Sequence, residues 1–227
     1  MNVMRRTRVR WLAGEGGFTM VELLITTAII GIVMSGLYVM LASGEQSYLV
    51  GTNSAEAQQN LRLAVDRMIQ DLRTAGYCPT CASACTPPAG TAFPAITAQS
   101  ATGFTIQYDW DGNYNCATGT GINTTGSVTY LDTGTQRGEQ ILWAVTGTNL
   151  TRREIGIDAA PVVIASGIVS ATFTYRDVND NVTATAANIR RIVISITAQP
   201  QNQPAATAEG KVLVSLQDSV RLRNRVQ

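Results

Sequence analysis

Gly16-Gly17-Phe18-Thr19-Met20-Val21-Glu22-Leu23-Leu24, with the apolar run that continues to Leu41, decides how the rest of the chain is read. Between Phe18 and Ser43 the only charged side chain is Glu22, inside a span of mostly Leu, Ile, Val, Met and Ala. That run reaches the ~20 apolar residues a helix needs to cross a hydrocarbon core of roughly 30 Å. A carboxylate one turn into such a span is costly in lipid, which makes Glu22 a functional candidate by default. The flank before it is basic, with Arg5, Arg6, Arg8 and Arg10 and no acid until Glu15. By the positive-inside rule those arginines hold this end in the cytoplasm, so the chain after Leu41 emerges on the other side.

A short basic leader, then Gly, then Phe-Thr-x-x-Glu-Leu-Leu opening an apolar helix, resembles the class III signal of type IV pilins and pseudopilins. The resemblance implies cleavage by a prepilin peptidase between Gly17 and Phe18, methylation of the new amine at Phe18, and an assembly role for Glu22. A general secretory signal is cut after its apolar region; this one is cut before it, so residues 1–17 leave as the leader and the helix stays. In such a subunit the positive Phe18 amine and the Glu22 carboxylate have no partner in lipid. At low dielectric they attract far more strongly than in water, and pairing Glu22 with the Phe18 amine of a neighbouring subunit registers the two. Pairing within one chain is the alternative.

Composition sets the frame around this element. The 227 residues allow one long membrane helix and one globular domain of about 150 residues. Removing the four leader arginines and Glu15 leaves 13 basic against 15 acidic residues, a near-neutral balance that gives no general electrostatic case for nucleic acid. The absence of any histidine removes Ser-His-Asp and Cys-His catalysis and His-ligated zinc together. The chain is therefore expected not to be an enzyme and to need no cofactor.

After the membrane span (18–43) the sequence turns polar but keeps a helical period through 44–76. Leu61, Ala64, Val65, Met68, Ile69 and Leu72 form a stripe of period 3.6. Arg62–Asp66 and Arg67–Asp71 read as i,i+4 pairs on the other face. Gly76 suits a helix C-terminus, and Gly51-Thr52-Asn53 are weak formers where a bend is expected. The stripe is read as packing on the chain's own globular domain. Asn60-Leu61-Arg62 and the run Met68-Ile69-Gln70-Asp71-Leu72-Arg73-Thr74-Ala75-Gly76-Tyr77 resemble the helix end of PilW-type minor pilins, whose architecture the J-type pseudopilins of type II secretion share. Major pilins often carry a proline in the membrane segment; here the first proline is Pro79, which favours a minor subunit.

Residues 77–103 read as a loop holding Cys78, Cys81 and Cys85, with Cys116 beyond it. A C-x-x-C-x-x-x-C run suits zinc or an iron–sulfur cluster, and C-x-x-C alone suits redox chemistry. The topology puts this loop outside the cytoplasm, where disulfides are the leading reading. Three connectivities remain open, and a bridge from one of the first three to Cys116 would tie the loop to the sheet.

Residues 104–227 read as β-rich. Phe104, Ile106 and Tyr108 alternate; 127–131 is a second strand; 140–145 and 150–155 flank Thr146-Gly147-Thr148-Asn149 as a hairpin; 162–164 and 171–175 follow. Residues 189–197 carry Ile192, Ile194 and Ile196 on one face, 199–210 is a connector, and 211–216 is the last strand. Asp109, Asp111 and Asn113 are calcium candidates by ligand type, as is the run Asp177, Asn179, Asp180 and Asn181, but these residues are also the standard turn formers. Arg190, Arg191, Arg221, Arg223 and Arg225 supply a basic element without interleaved aromatics, closer to a solvated or interface surface than to a nucleic-acid site.

The expected fold class is α+β, the type IV pilin fold: a long N-terminal helix whose second half packs on a mainly antiparallel sheet. The expected role is a minor pilin in the initiation, priming or tip assembly of a type IV pilus, supporting adhesion, twitching motility or DNA uptake. Its implied partners are prepilin peptidase, the major pilin, other minor pilins and the inner-membrane assembly platform. It would start as a single-pass inner-membrane protein and end at the periplasm or cell surface in the pilus. A J-type pseudopilin is the neighbouring reading, and a membrane-anchored binding module that never assembles is the reading from another class.

Overall fold

A computed structural model describes residues 17–81, 93–131, 133–200 and 212–224. Residues 1–16 of the expected leader 1–17, with Cys85 and Arg225, lie outside these. The chain divides into two units at Leu49/Val50.

In the first unit the chain has no regular structure at 17–19 and enters helix α1 (Met20–Thr74), which is long and apolar enough to cross a membrane. Every residue from 17 to 49 is exposed. Hydroxyls inside this apolar stretch bond back to their own helix: Thr26 Oγ1 donates to the Glu22 carbonyl at 2.9 Å, Thr27 to that of Leu23 at 2.9 Å and Ser35 to that of Ile32 at 2.8 Å. Such back-bonding satisfies a polar group where no water is available to do so. The weak formers Gly51, Thr52 and Asn53 lie inside α1, which runs through them without a break.

In the second unit the buried residues of α1 are Ala57, Leu61, Ala64, Val65, Met68, Ile69, Asp71 and Leu72. Their 3.6 period is what the sequence displayed, with one charged intruder. They join one core with Phe104, Ile106, Tyr108, Trp143, Leu150, Ile192, Ile194 and Ile196 from the strands. Gly76 ends the helix at φ 77°, where a Cβ would meet the Ala95 Cβ at 2.8 Å, so only glycine fits this turn.

A five-stranded antiparallel sheet has the order β1 (Ile96–Ser100), β2 (Gly103–Gln107), β5 (Gln140–Thr146), β6 (Asn149–Glu154), β7 (Val162–Ser166). A three-stranded sheet orders β10 (Val214–Arg221), β9 (Arg191–Ala198) and β8 (Ile168–Arg176), and β3 (Ser127–Thr129) pairs with β4 (Gln136–Gly138). Every one of these pairings is antiparallel. The fold is α+β, with one long N-terminal helix and antiparallel sheets.

Three readings need correction. Residues 96–100 are a strand, not part of a loop; a register shift and Ala98 at φ 47° break the alternation that would have revealed it. The last strand is Val214–Arg221 rather than 211–216, because Val220 opposite Ile192 is buried and anchors its far end. Of the two expected i,i+4 pairs, Arg67–Asp71 is present at 4.0 Å, with Asp71 buried and held more closely by Arg152 at 2.8 Å, whereas Arg62 and Asp66 form no ion pair.

That buried group is the polar anchor of the helix on the sheet. Arg152 holds Asp71 at 2.8 Å, Glu154 at 3.1 Å and Asp158 at 3.7 Å, while Trp143 Nε1 donates to Asp71 at 3.1 Å and the Tyr108 hydroxyl donates to the Asp71 carbonyl at 2.9 Å. Burial works against the Arg152 charge, but its hydrogen bond and attraction to Asp71, then to Glu154, outweigh it and raise the pKa. Burial, with the Asp71 charge beside it, pushes the Tyr108 hydroxyl far above its ordinary range.

Candidate functional site

The N-terminal motif occupies the entry to α1. The Glu22 N–H donates to Thr19 Oγ1 at 3.2 Å and the Leu23 N–H to the Thr19 carbonyl at 3.1 Å. Thr19 is therefore the N-cap, and Glu22 stands three residues on, the S/T-x-x-E spacing of a capping box. That spacing was legible in Phe-Thr-x-x-Glu, and sequence reasoning passed over Thr19. The Gly17–Phe18 peptide lies in non-helical chain immediately before the capped turn. A Cβ on Gly17 would meet nothing within 4 Å, so nothing in the fold demands glycine there. Glu22 is exposed, with no ion-pair partner among the described residues.

A second constellation centres on Asp109, which is fully buried. Its N–H donates to the Tyr77 carbonyl at 2.8 Å; its Oδ1 accepts the Asn113 N–H at 3.0 Å, and its Oδ2 accepts the Thr80 hydroxyl at 3.3 Å and the Tyr114 N–H at 3.4 Å. Glu139, also fully buried, accepts the N–H of Trp110 at 2.8 Å and of Asn123 at 2.7 Å. Burial raises the pKa of both carboxyls, partly countered by these backbone donors and reinforced by the charge of Asp111.

Asp109, Asp111 and Glu139 present oxygens within 4.8 Å of one another. Of the sequence's calcium candidates, Asn113 turns its amide nitrogen to Asp111 Oδ2 at 2.8 Å and acts as a donor; Glu139, which sequence reasoning missed, takes the third place. Glu139 is 30 residues from Asp109, and only β2–β5 pairing brings it near. The other oxygen-rich run is spent internally: Asp177 Oδ1 accepts the N–H groups of Asn179 and Asn181, and Asp180 pairs with Arg191 at 2.9 Å.

Cys78 and Cys81 form a disulfide, and Cys116 is disulfide-bonded too; the Cys85 candidate lies outside the described residues. The closed Cys78–Cys81 pair spans only the turn after α1, so it is not the bridge to the sheet that the sequence left open.

The basic residues separate. Arg176, Arg191 and Arg221 occupy one cross-strand row of the three-stranded sheet, while Arg190 donates to the carbonyls of Ala187 and Ile189.

No curated protein matches the chain. A solved type IV-like pilin from Thermus thermophilus is similar at 14% identity and a TM-score of 0.44, over 74% of this chain and 98% of that one. Residues 12–38 match the prokaryotic N-terminal methylation motif, so the segment around Gly17, Phe18 and Glu22 carries that signal.

Proposed function

We propose that the chain is a minor pilin: a membrane-anchored subunit freed by prepilin peptidase at Gly17–Phe18 and registered in a type IV pilus through Glu22, at its initiation or tip. The observation that carries this reading is the methylation motif over residues 12–38, whose described part is an exposed, non-helical entry to an apolar helix. The lack of any packing demand at Gly17 supports a role in peptidase recognition. A lone carboxylate in lipid carries a penalty that a neighbour's Phe18 amine relieves. The implied partners are the major pilin, other minor pilins and the inner-membrane assembly platform, and the implied route runs from the inner membrane to the cell surface. The unbroken helix, with no proline before Pro79, favours a minor subunit over a bulk one.

Shearing surface filaments and immunoblotting tests assembly. The native chain is expected in the sheared fraction, Glu22→Val is expected to leave it membrane-bound, and Gly17→Val is expected to leave a precursor heavier by the leader. Incorporation of Glu22→Val at the native level overturns the role given to Glu22. Absence of the native chain from filaments favours an anchored module that does not assemble.

A further inference from the structure

The Cys78–Cys81 disulfide lies against the one carboxylate that ties the helix exit to the 109–114 turn. Cys78 Sγ is 3.1 Å from Asp109 Oδ2. A disulfide sulfur carries no hydrogen, so this approach gains no hydrogen bond in the oxidised state. It becomes attractive once the sulfur bears a proton, or once a cation sits between the two donors. The two sulfurs and a carboxylate oxygen all lie within 4.8 Å of one another. A tetrahedral zinc with Zn–S near 2.3 Å and Zn–O near 2.1 Å sets its donors roughly 3.5–3.8 Å apart, so the sulfurs must part on reduction to admit it, on backbones whose Cα atoms stand 5.4 Å apart. The C-x-x-C spacing serves zinc as readily as it serves a disulfide.

The surroundings suit such a centre. Asn113 and Tyr114 backbone N–H groups and the Thr80 hydroxyl fix the carboxylate, as outer-shell donors fix metal ligands. Cys81 is buried, whereas Cys78 is half-buried and Pro79 and Thr80 are exposed, which leaves an approach for a fourth, water ligand.

We propose that Cys78, Cys81 and Asp109 form a redox-gated site for a thiophilic divalent cation such as zinc, closed while the disulfide stands and opened by an external dithiol. The opening balances as exchange: the external dithiol passes two electrons and two protons to the Cys78–Cys81 bond and leaves as a disulfide. The cation then displaces the two thiol protons to form two metal–sulfur bonds, with Asp109 as the oxygen ligand. Two thiolates select zinc over calcium or magnesium, and binding releases protons. This site stands independently of the pilin reading.

The test uses the detergent-solubilised full chain and Co²⁺ as a spectroscopic stand-in for zinc. After mild dithiol treatment, alkylation mapping is expected to find Cys78 and Cys81 free. That form is expected to bind Co²⁺ with a thiolate-to-metal charge-transfer band that Zn²⁺ removes, and the oxidised form to give none. Cys78→Ser and Cys81→Ser are expected to abolish the band. Asp109→Asn is expected to weaken binding by about tenfold or more, the scale on which metal sites answer changes in and around their ligands. Should Asp109→Asn fail to fold, the two serine variants carry the test. The proposal is overturned if the reduced chain binds no Co²⁺, or if either serine variant keeps the band. It is equally overturned if a folded Asp109→Asn binds Co²⁺ as tightly as the native chain, which removes the carboxylate from the site.

Discussion

The two ends of α1 are built from similar residues and have opposite fates. From 23 to 43 the helix is apolar on nearly every face and exposed; from Ala57 to Leu72 it is apolar on one stripe, and that stripe is buried under the sheet. A helix apolar on every face is stable only inside lipid or a partner assembly. The first half is thus defined by an environment outside its own chain, and the second half by the domain it anchors. The polar residues follow the same division. In the first half they fold back onto their own backbone or, as Glu22, stand alone; in the second, Asp71 is met by Arg152 and Trp143.

The sharpest way to break this contrast is to remove the anchor of the second half. Arg152→Ala strands Asp71 in the core and is expected to lower domain stability by about 3–5 kcal/mol in urea unfolding. The joint change Asp71→Leu with Arg152→Met is expected to recover part of that loss, because Glu154 and Asp158 still lose Arg152 while Glu154 keeps Arg137 at 3.3 Å. Next comes packing: Met68→Ala or Leu72→Ala is expected to cost about 2–5 kcal/mol. Leu37→Ala in the first half is expected to shift domain unfolding by no more than about 0.5 kcal/mol.

A smaller effect depends on pH. Burial raises the folded-state pKa of Asp109 and Glu139. A raised acid holds its proton in the native state where the unfolded chain has lost it, so stability falls as pH rises from the ordinary carboxylate value through the raised one. The facing charge is Asp111, with the Tyr114 hydroxyl beside Asp109. The expected slope from these groups is at most about 1.4 kcal/mol per pH unit for each proton, read as melting temperature from pH 4 upward. Glu139→Gln is expected to flatten it. The smallest change returns to the first half: Thr19→Ala is expected to cost about 1 kcal/mol of helix-start stability, seen as faster amide exchange at Glu22 and Leu23.

The helix was legible in the sequence because both of its patterns are local: an uninterrupted apolar run, then a stripe from Leu61 to Leu72 closed by Gly76. The β5–β6 hairpin was legible for the same reason, with Gly147 at φ 61° in its turn. Strand β1 was hidden by Ala98 and a register shift, and β4 by Gln-Arg-Gly, which has no apolar alternation to display. Asp71 read as a surface acid because its partner Arg152 is 81 residues away and only strand pairing places it. Glu139 escaped for the same reason, whereas the N-terminal methylation motif over residues 12–38 was readable because it is a linear pattern.

One detail of β10 bears on how such a domain survives crowding. β10 is an edge strand, and its register sets Asp218 opposite Ile194, on the side where Val214, Leu216 and Val220 face the core. Asp218 is nevertheless exposed. Another strand adding along this edge would enclose a bare carboxylate among aliphatic side chains, an unfavourable desolvation. Asp218 thereby acts as a gatekeeper against strand addition along this one edge of the three-stranded sheet.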